Sequence, residues 1–131
     1  MDQIRVDDGR ATEADLVARP EAASVARGMF RPLAKRLHHD VVERAKLLVT
    51  EVVANSVQHA RTNEPIHVSV RALPETLRVR VSDSGPSFEP DVGRPEGGSE
   101  SGWGLFLIDS LADRWGVHSE GDVTVWFELD L

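Results

Sequence analysis

The chain has 131 residues, 40% hydrophobic and 28% charged, the composition of one ordinary globular domain spanning residues 1–131. It carries no cysteine, which excludes a disulfide framework and a thiolate metal site and makes a reducing cytoplasm the expected compartment. A net charge of −7 argues against nucleic acid as the main partner, and neither a secretory leader nor a membrane-spanning apolar run is expected.

Ile4–Val6 reads as a short edge strand, and Gly9 to Arg19 as polar connection. Pro20 to Leu37 has helical composition, with Val25, Met29, Phe30, Leu33 and Leu37 near helical spacing, and Pro32 must kink or interrupt it. Basic residues crowd its second half. Arg27, Arg31, Lys35 and Arg36 form a local patch suited to an acidic protein surface.

Asp40 to Ala60 reads as one long helix, capped by Asp40 with Glu43 reaching back and ended before Pro65. Its apolar residues, Leu47 and Ala54 among them, cover so much of the circumference that the helix is expected to be largely buried. Glu51, Asn55 and His59 nevertheless recur at four-residue spacing and share one side. A carboxylate and an amide in apolar surroundings cost several kcal/mol, roughly, unless paired, either by core partners or by a ligand. His59 is expected to be a hydrogen-bonded residue at the helix end, and the doublet His38-His39 a solvated turn rather than a metal site.

Ile66–Ala72 and Leu77–Ser82 alternate apolar and polar residues around a turn at 73–76 and predict an antiparallel hairpin. The second strand stops at Asp83-Ser84-Gly85-Pro86. Pro86 to Gly102 is rich in Gly, Pro, Ser and Glu, a loop of the length that is usually functional or disordered. Gly102-Trp103-Gly104 opens a third helix, Leu105 to Trp115, with Leu105, Ile108, Leu111, Ala112 and Trp115 inward. A short strand near Trp115–Ser119 and a last strand Val123–Leu129 follow. The expected fold class is an α/β (α+β) two-layer sandwich, a mostly antiparallel sheet with three helices on one face.

Three sites stand out: Glu51 and Asn55 on the central helix, Asp83-x-Gly85 at a strand end, and Gly102-x-Gly104 at a helix start. Each alone is a weak signal. A DxG after a strand is commonly a turn, and a GxG before a helix is commonly a cap, although bare N–H groups there favour phosphate. Their order and spacing, divided by one long loop, are far more specific. No GxxxxGK[ST] and no GxGxxG after a strand is present, and Ser99 and Ser101 lack the glycines of a nucleophile elbow. Trp103, Trp115 and Trp126 suit core or interface positions better than base stacking.

EVVANSVQHA resembles the N-box, VSDSGP the first glycine box and SGWGLFLI the second of the GHKL ATP-binding (Bergerat) fold. In size and layout the chain is most similar to the anti-sigma-factor serine kinases of the RsbW type, over roughly Pro20 to Leu131. This resemblance implies ATP and Mg²⁺ as ligands, a sigma factor and an anti-anti-sigma antagonist as partners, and a possible homodimer. It makes Glu51 the general base toward the attacking hydroxyl, suited by burial that raises a carboxylate pKa. Asn55 becomes the protein ligand to Mg²⁺, an ion that keeps most of its shell as waters and phosphate oxygens. Asp83 would accept the adenine amine, Gly85 would let the backbone approach the base, and Gly102, Gly104 and Leu105 would leave N–H groups for the phosphates. Thr124 would set its hydroxyl beside Asp83.

One departure accompanies the match. Relatives often carry an Arg or Lys just before the second glycine box, whereas this chain reads Glu-Gly-Gly-Ser-Glu-Ser at 96–101, with Arg94 the nearest lid cation. That substitution bears on the rate of phosphate transfer more than on nucleotide binding. The alternative function it leaves is an ATP-binding regulatory module that holds a protein partner with little or no transfer.

Overall fold

In a computed structural model the described residues are 3–59, 64–84, 103–119 and 121–131. In chain order they form strands β1 (Gln3–Asp7) and β2 (Ala11–Leu16), helix α1 (Ala22–Gly28), a 3-10 segment (Arg31–Arg36), helix α2 (His39–His59), strands β3 (Ile66–Ala72) and β4 (Thr76–Asp83), helix α3 (Trp103–Leu111), and strands β5 (Arg114–His118) and β6 (Val123–Asp130). The strands make one sheet in the order β1-β2-β3-β4-β6-β5, every neighbouring pair antiparallel. All three helices pack on the same face of it, giving the expected two-layer sandwich.

Alternation sets that face. Ala14 and Leu16 of β2, Ile66, Val68 and Val70 of β3, Leu77, Val79 and Val81 of β4, and Val123, Val125, Phe127 and Leu129 of β6 all point inward and are buried. Met29, Phe30 and Leu33 seal the core from the α1 side, and Ile108 seals it from α3. Fully burying each of these larger side chains contributes about 1.5–3 kcal/mol. As expected, Pro32 interrupts the helical run: α1 ends at Gly28, and the proline falls in the first turn of the 3-10 segment, where no intrahelical N–H is needed.

Two expectations are corrected. Gly9 to Arg19 is not simply connection, because Ala11–Leu16 is a strand paired along its whole length with β3 and from Ala11 to Asp15 with β1. Thr12, Ala14 and Leu16 face inward while Glu13 and Asp15 face solvent, and the Thr12 hydroxyl donates to the Met29 carbonyl at 3.0 Å. The turn before it closes with the Arg10 N–H on the Asp7 carbonyl (2.9 Å), and both Asp8 and Gly9 have positive φ. The second correction concerns α3, which ends at Leu111 rather than Trp115. The Asp113 N–H already bonds to the Glu128 carbonyl at 2.9 Å, so Trp115 belongs to β5.

On the outer face of the sheet, Glu128 is only 9% exposed and takes Arg78 Nε at 2.7 Å and Arg114 Nε at 2.8 Å. Arg114 also pairs with Asp130. Hydrogen bonds from Arg114 and then Arg78 hold the Glu128 carboxyl below the ordinary value of 4.5. A depressed folded pKa contributes stability that is present above the unfolded value and disappears as pH falls through the folded one. Glu128→Gln should therefore melt below wild type at neutral pH, with the gap closing as pH drops below the ordinary carboxylate range. Thermal melts of both proteins across that range check this; a gap constant with pH contradicts it.

Candidate functional site

Helix α2 lies between its two neighbours over the central strands β3, β4 and β6. It begins at His39, one residue before the expected start. His38 rather than Asp40 is its cap: the His38 Nδ1 accepts the Asp40 N–H at 3.3 Å, while Asp40 stands in the first turn, where its charge suits the helix dipole. Glu43 lies 3.8 Å from Lys46. Both His38 and His39 are exposed, as a solvated turn requires. His59, the last residue of α2, is exposed as well, and Ala60 lies outside the described residues.

Burial divides the helix lengthwise. Val41, Val42, Ala45, Leu48, Val49, Val52, Val53 and Ser56 are buried against the sheet. Opposite them Asp40, Glu43, Leu47, Ala54 and Gln58 are exposed, Leu47 by 43%. The helix is thus less buried than its composition predicts, with Leu47 and Ala54 facing outward. Two half-buried flanks remain at about 100° per residue. Lys46, Thr50 and Val57 make one; Arg44, Glu51 and Asn55 make the other.

The first flank meets α1. The Arg27 guanidinium donates to the Thr50 hydroxyl at 3.1 Å, and that hydroxyl donates to the Lys46 carbonyl at 2.6 Å. Arg27, Arg31 and Lys46 also line a groove of about 390 Å³ between α1, the 3-10 segment and α2. Since α1 holds one flank and α3 packs on the other side, Glu51 and Asn55 lie on the α3 side of α2. They are one turn apart, about 6 Å along the axis. Neither makes a hydrogen bond or ion pair within the described residues. Their polar atoms are not sealed in, because the one fully buried unpartnered side-chain atom among the described residues is Trp126 Nε1. A half-buried carboxylate and amide held on a rigid helix without partners are groups positioned for a ligand.

Asp83 ends β4 with the same parity as Leu77, Val79 and Val81, so it sits on the helix-facing side, half-buried, at the edge of the core. Thr124 does not stand beside it. The register places Thr124 opposite Ser82, with the two hydroxyls 2.7 Å apart on the outer face, and sets Val123 opposite Asp83. The pleat decides this: neighbours along β6 point to opposite faces. Gly104 and half-buried Leu105 occupy the first turn of α3, while Gly85, Gly102 and the loop between them, including Arg94, lie outside the described residues.

Arg44, which the sequence reading passed over, shares this half-buried flank of α2. It precedes Glu51 by seven residues, two helical turns, and that spacing alone carries the signal. Among the described residues no three His, Asp or Glu side chains converge on a metal position. The amide oxygen of Asn55 is a hard donor that fits Mg²⁺, an ion bound through few protein ligands with phosphate oxygens and waters completing its shell. No helix among the described residues is long and apolar enough to cross a membrane.

With this geometry in place, comparison with known proteins is informative. The model of the histidine kinase-like ATPase domain matches residues 16–128. The serine-protein kinase RsbW of Listeria innocua is 33% identical over 126 residues, covering 84% of this chain and 80% of that protein. The protein of the same name in Bacillus velezensis is 34% identical over 129 residues, covering 86% and 81%. A solved structure of the RsbU and RsbW domains of a Mycobacterium tuberculosis protein superposes with a TM-score of 0.70 at 21% identity; it covers 91% of this chain, which spans 32% of that larger one. The shared fold, and a family match that runs from the last residue of β2 to Glu128 in β6, lead to one conclusion: the chain belongs to the histidine kinase-like ATPase domain family.

Proposed function

We propose that the protein is a Mg²⁺-ATP-dependent serine/threonine protein kinase of the anti-sigma-factor type, acting in the cytoplasm on an antagonist protein and holding a sigma factor. The observation that carries this reading is the pair Glu51 and Asn55, one turn apart and unpartnered among the described residues on the flank of α2 nearest α3. Asp83 at the end of β4 supplies the adenine end of the same cleft, with Gly85 beside it in sequence. Gly104 and Leu105 in the first turn of α3, with Gly102 just before it in sequence, supply N–H groups toward the phosphates, where the helix dipole favours negative charge. The cation-lined groove of Arg27, Arg31 and Lys46 is the surface suited to an acidic protein partner.

In this reading Glu51 accepts the proton of an attacking serine or threonine hydroxyl. The oxygen forms a bond to the γ-phosphorus, the bond from that phosphorus to the bridging oxygen breaks, and ADP leaves with the bridging electrons. Bound Mg²⁺ neutralises charge on the phosphate oxygens. Asn55 offers its amide oxygen to that ion, and Asp83 fixes the base so that the reacting phosphate is presented to Glu51. A second reading, an ATP-holding module with negligible transfer, draws on the acidic stretch 96–101, where relatives often place a cation.

Asp83→Asn should weaken ATP binding by about 1–3 kcal/mol, because an acceptor of the adenine amine is replaced by a group that also presents a donor. Calorimetric titration measures it, and an unchanged affinity removes Asp83 from the adenine site. Glu51→Gln keeps size and hydrogen bonding but cannot take the proton. It should bind ATP nearly normally while transfer falls roughly 10²-fold or more. Asn55→Ala should instead lose Mg²⁺-dependent nucleotide affinity. Labelled phosphate transfer to the antagonist, read beside nucleotide affinity, separates the two; wild-type transfer no faster than that of Glu51→Gln leaves the ATP-holding module.

A further inference from the structure

Helix α2 carries two strong cations, and they are treated differently. Lys46 lies 3.8 Å from Glu43. Arg44 is half-buried and makes no hydrogen bond or ion pair among the described residues. The carboxylate one turn before it, Asp40, turns instead to His38, with Oδ2 3.7 Å from Nδ1. A guanidinium partly removed from water with no counter-charge is a group prepared for an anionic partner.

The topology sets the side from which that partner comes. β3 starts at Ile66, a short link after α2 ends at His59, and the register of His67 opposite Ser82 carries Asp83 alongside Ile66. Even fully extended, that link reaches about 25 Å, less than the roughly 30 Å length of α2, so the C-terminal end of α2 is the one nearer Asp83. From that end Asn55, Glu51 and Arg44 follow in order along one line, within about 40° of each other around the helix. Arg44 lies about 10 Å beyond Glu51, and helical side chains lean toward the N-terminus, further still from Asp83. With adenine at Asp83 and reaction at Glu51, in-line displacement brings the entering hydroxyl from the side of the γ-phosphorus away from ADP. That is the Arg44 side.

We propose that Arg44 reads the protein substrate, pairing with an Asp or Glu carboxylate that lies close in sequence to the serine or threonine receiving the phosphate. The identity of that substrate rests on the kinase reading above; the unanswered cation does not. A guanidinium takes a carboxylate through two parallel hydrogen bonds, which fixes distance and orientation together. The contact would thereby hold the acceptor hydroxyl at Glu51. At about 3.3 Å per residue, extended chain crosses the gap of about 10 Å in three residues, so the carboxylate belongs within about three positions of the acceptor. A nucleotide phosphate is the poorer partner, because the γ-phosphate lies back at Glu51.

The test uses the full chain, the antagonist protein and a non-hydrolysable ATP analogue with Mg²⁺, so that affinity is read without transfer. Arg44→Glu should lower antagonist affinity about tenfold or more, with analogue affinity and melting temperature unchanged, and Arg44→Lys should recover part of the loss. Mass spectrometry of antagonist phosphorylated by the wild type should find an Asp or Glu within about three residues of the modified one. Replacing that carboxylate by a cation should weaken binding to the wild type and restore binding to Arg44→Glu. Absence of such a carboxylate, antagonist affinity indifferent to Arg44→Glu, or a loss of analogue affinity in that variant would each overturn the proposal. Transfer absent from the wild type, with antagonist affinity still dependent on Arg44, would instead overturn the kinase reading and leave the contact standing.

Discussion

The structure depends on a single constraint: α2 must bury one face against the central strands while leaving a flank open. Leu48, Val49, Val52 and Val53 anchor it to the sheet, and Arg27 pins its opposite flank to α1 through Thr50. Apolar burial there, about 1.5–3 kcal/mol per large side chain, outweighs the cost of keeping Glu51 and Asn55 partly desolvated without partners among the described residues. The core therefore holds this carboxylate and amide rigidly, with no hydrogen bond to their polar atoms among the described residues. A loop-borne carboxylate and amide would lose orientation each time the loop moved.

The rest of the sheet serves that arrangement. Antiparallel pairing between β4 and β6 fixes the parity of Asp83, which places it on the helix side at the strand end, and α3 is the next described element in sequence. The outer face is held by a charged network in which Glu128 receives both Arg78 and Arg114. At the other end of the sheet, His67 lies 2.8 Å from Asp15, which with Arg5 extends a ladder of charges across β1, β2 and β3. One face thus carries the core and the candidate site, and the other remains polar apart from half-buried Trp126.

Much of this was legible in the sequence, for reasons that differ between elements. The hairpin of β3 and β4 and the inward set of β6 followed from strict alternation of branched residues. The flank of Glu51 and Asn55 followed from four-residue spacing alone. β2 was missed because its inward residues, Thr12, Ala14 and Leu16, are mostly small or polar, so its alternation is faint beside Glu13 and Asp15. The Asp8-Gly9 pair, a strong hairpin signal whose positive φ values the structure bears out, was the clue to it. α3 was drawn too long because Leu111, Ala112 and Trp115 continue a helical pattern, and only the backbone bond from Asp113 to Glu128 turns the chain into β5. Thr124 was set beside Asp83 by the resemblance alone, whereas the alternation of Val123, Val125 and Phe127 puts it on the opposite face. The exposure of Leu47 and Ala54 reflects where α1 and α3 stop, which helical periodicity does not encode.

The claim that the α3-side flank of α2 and the end of β4 form one nucleotide site is tested most directly by amide chemical-shift mapping. The full chain is titrated with a non-hydrolysable ATP analogue and Mg²⁺. The account predicts that the largest shifts fall on Glu51 to His59 of α2, on Val81 to Ser84 at the end of β4, and on Gly104 and Leu105 of α3, with β1 and the α1 flank at Thr50 little changed. Shifts centred instead on the groove of Arg27, Arg31 and Lys46, or on the outer face of the sheet, would contradict it.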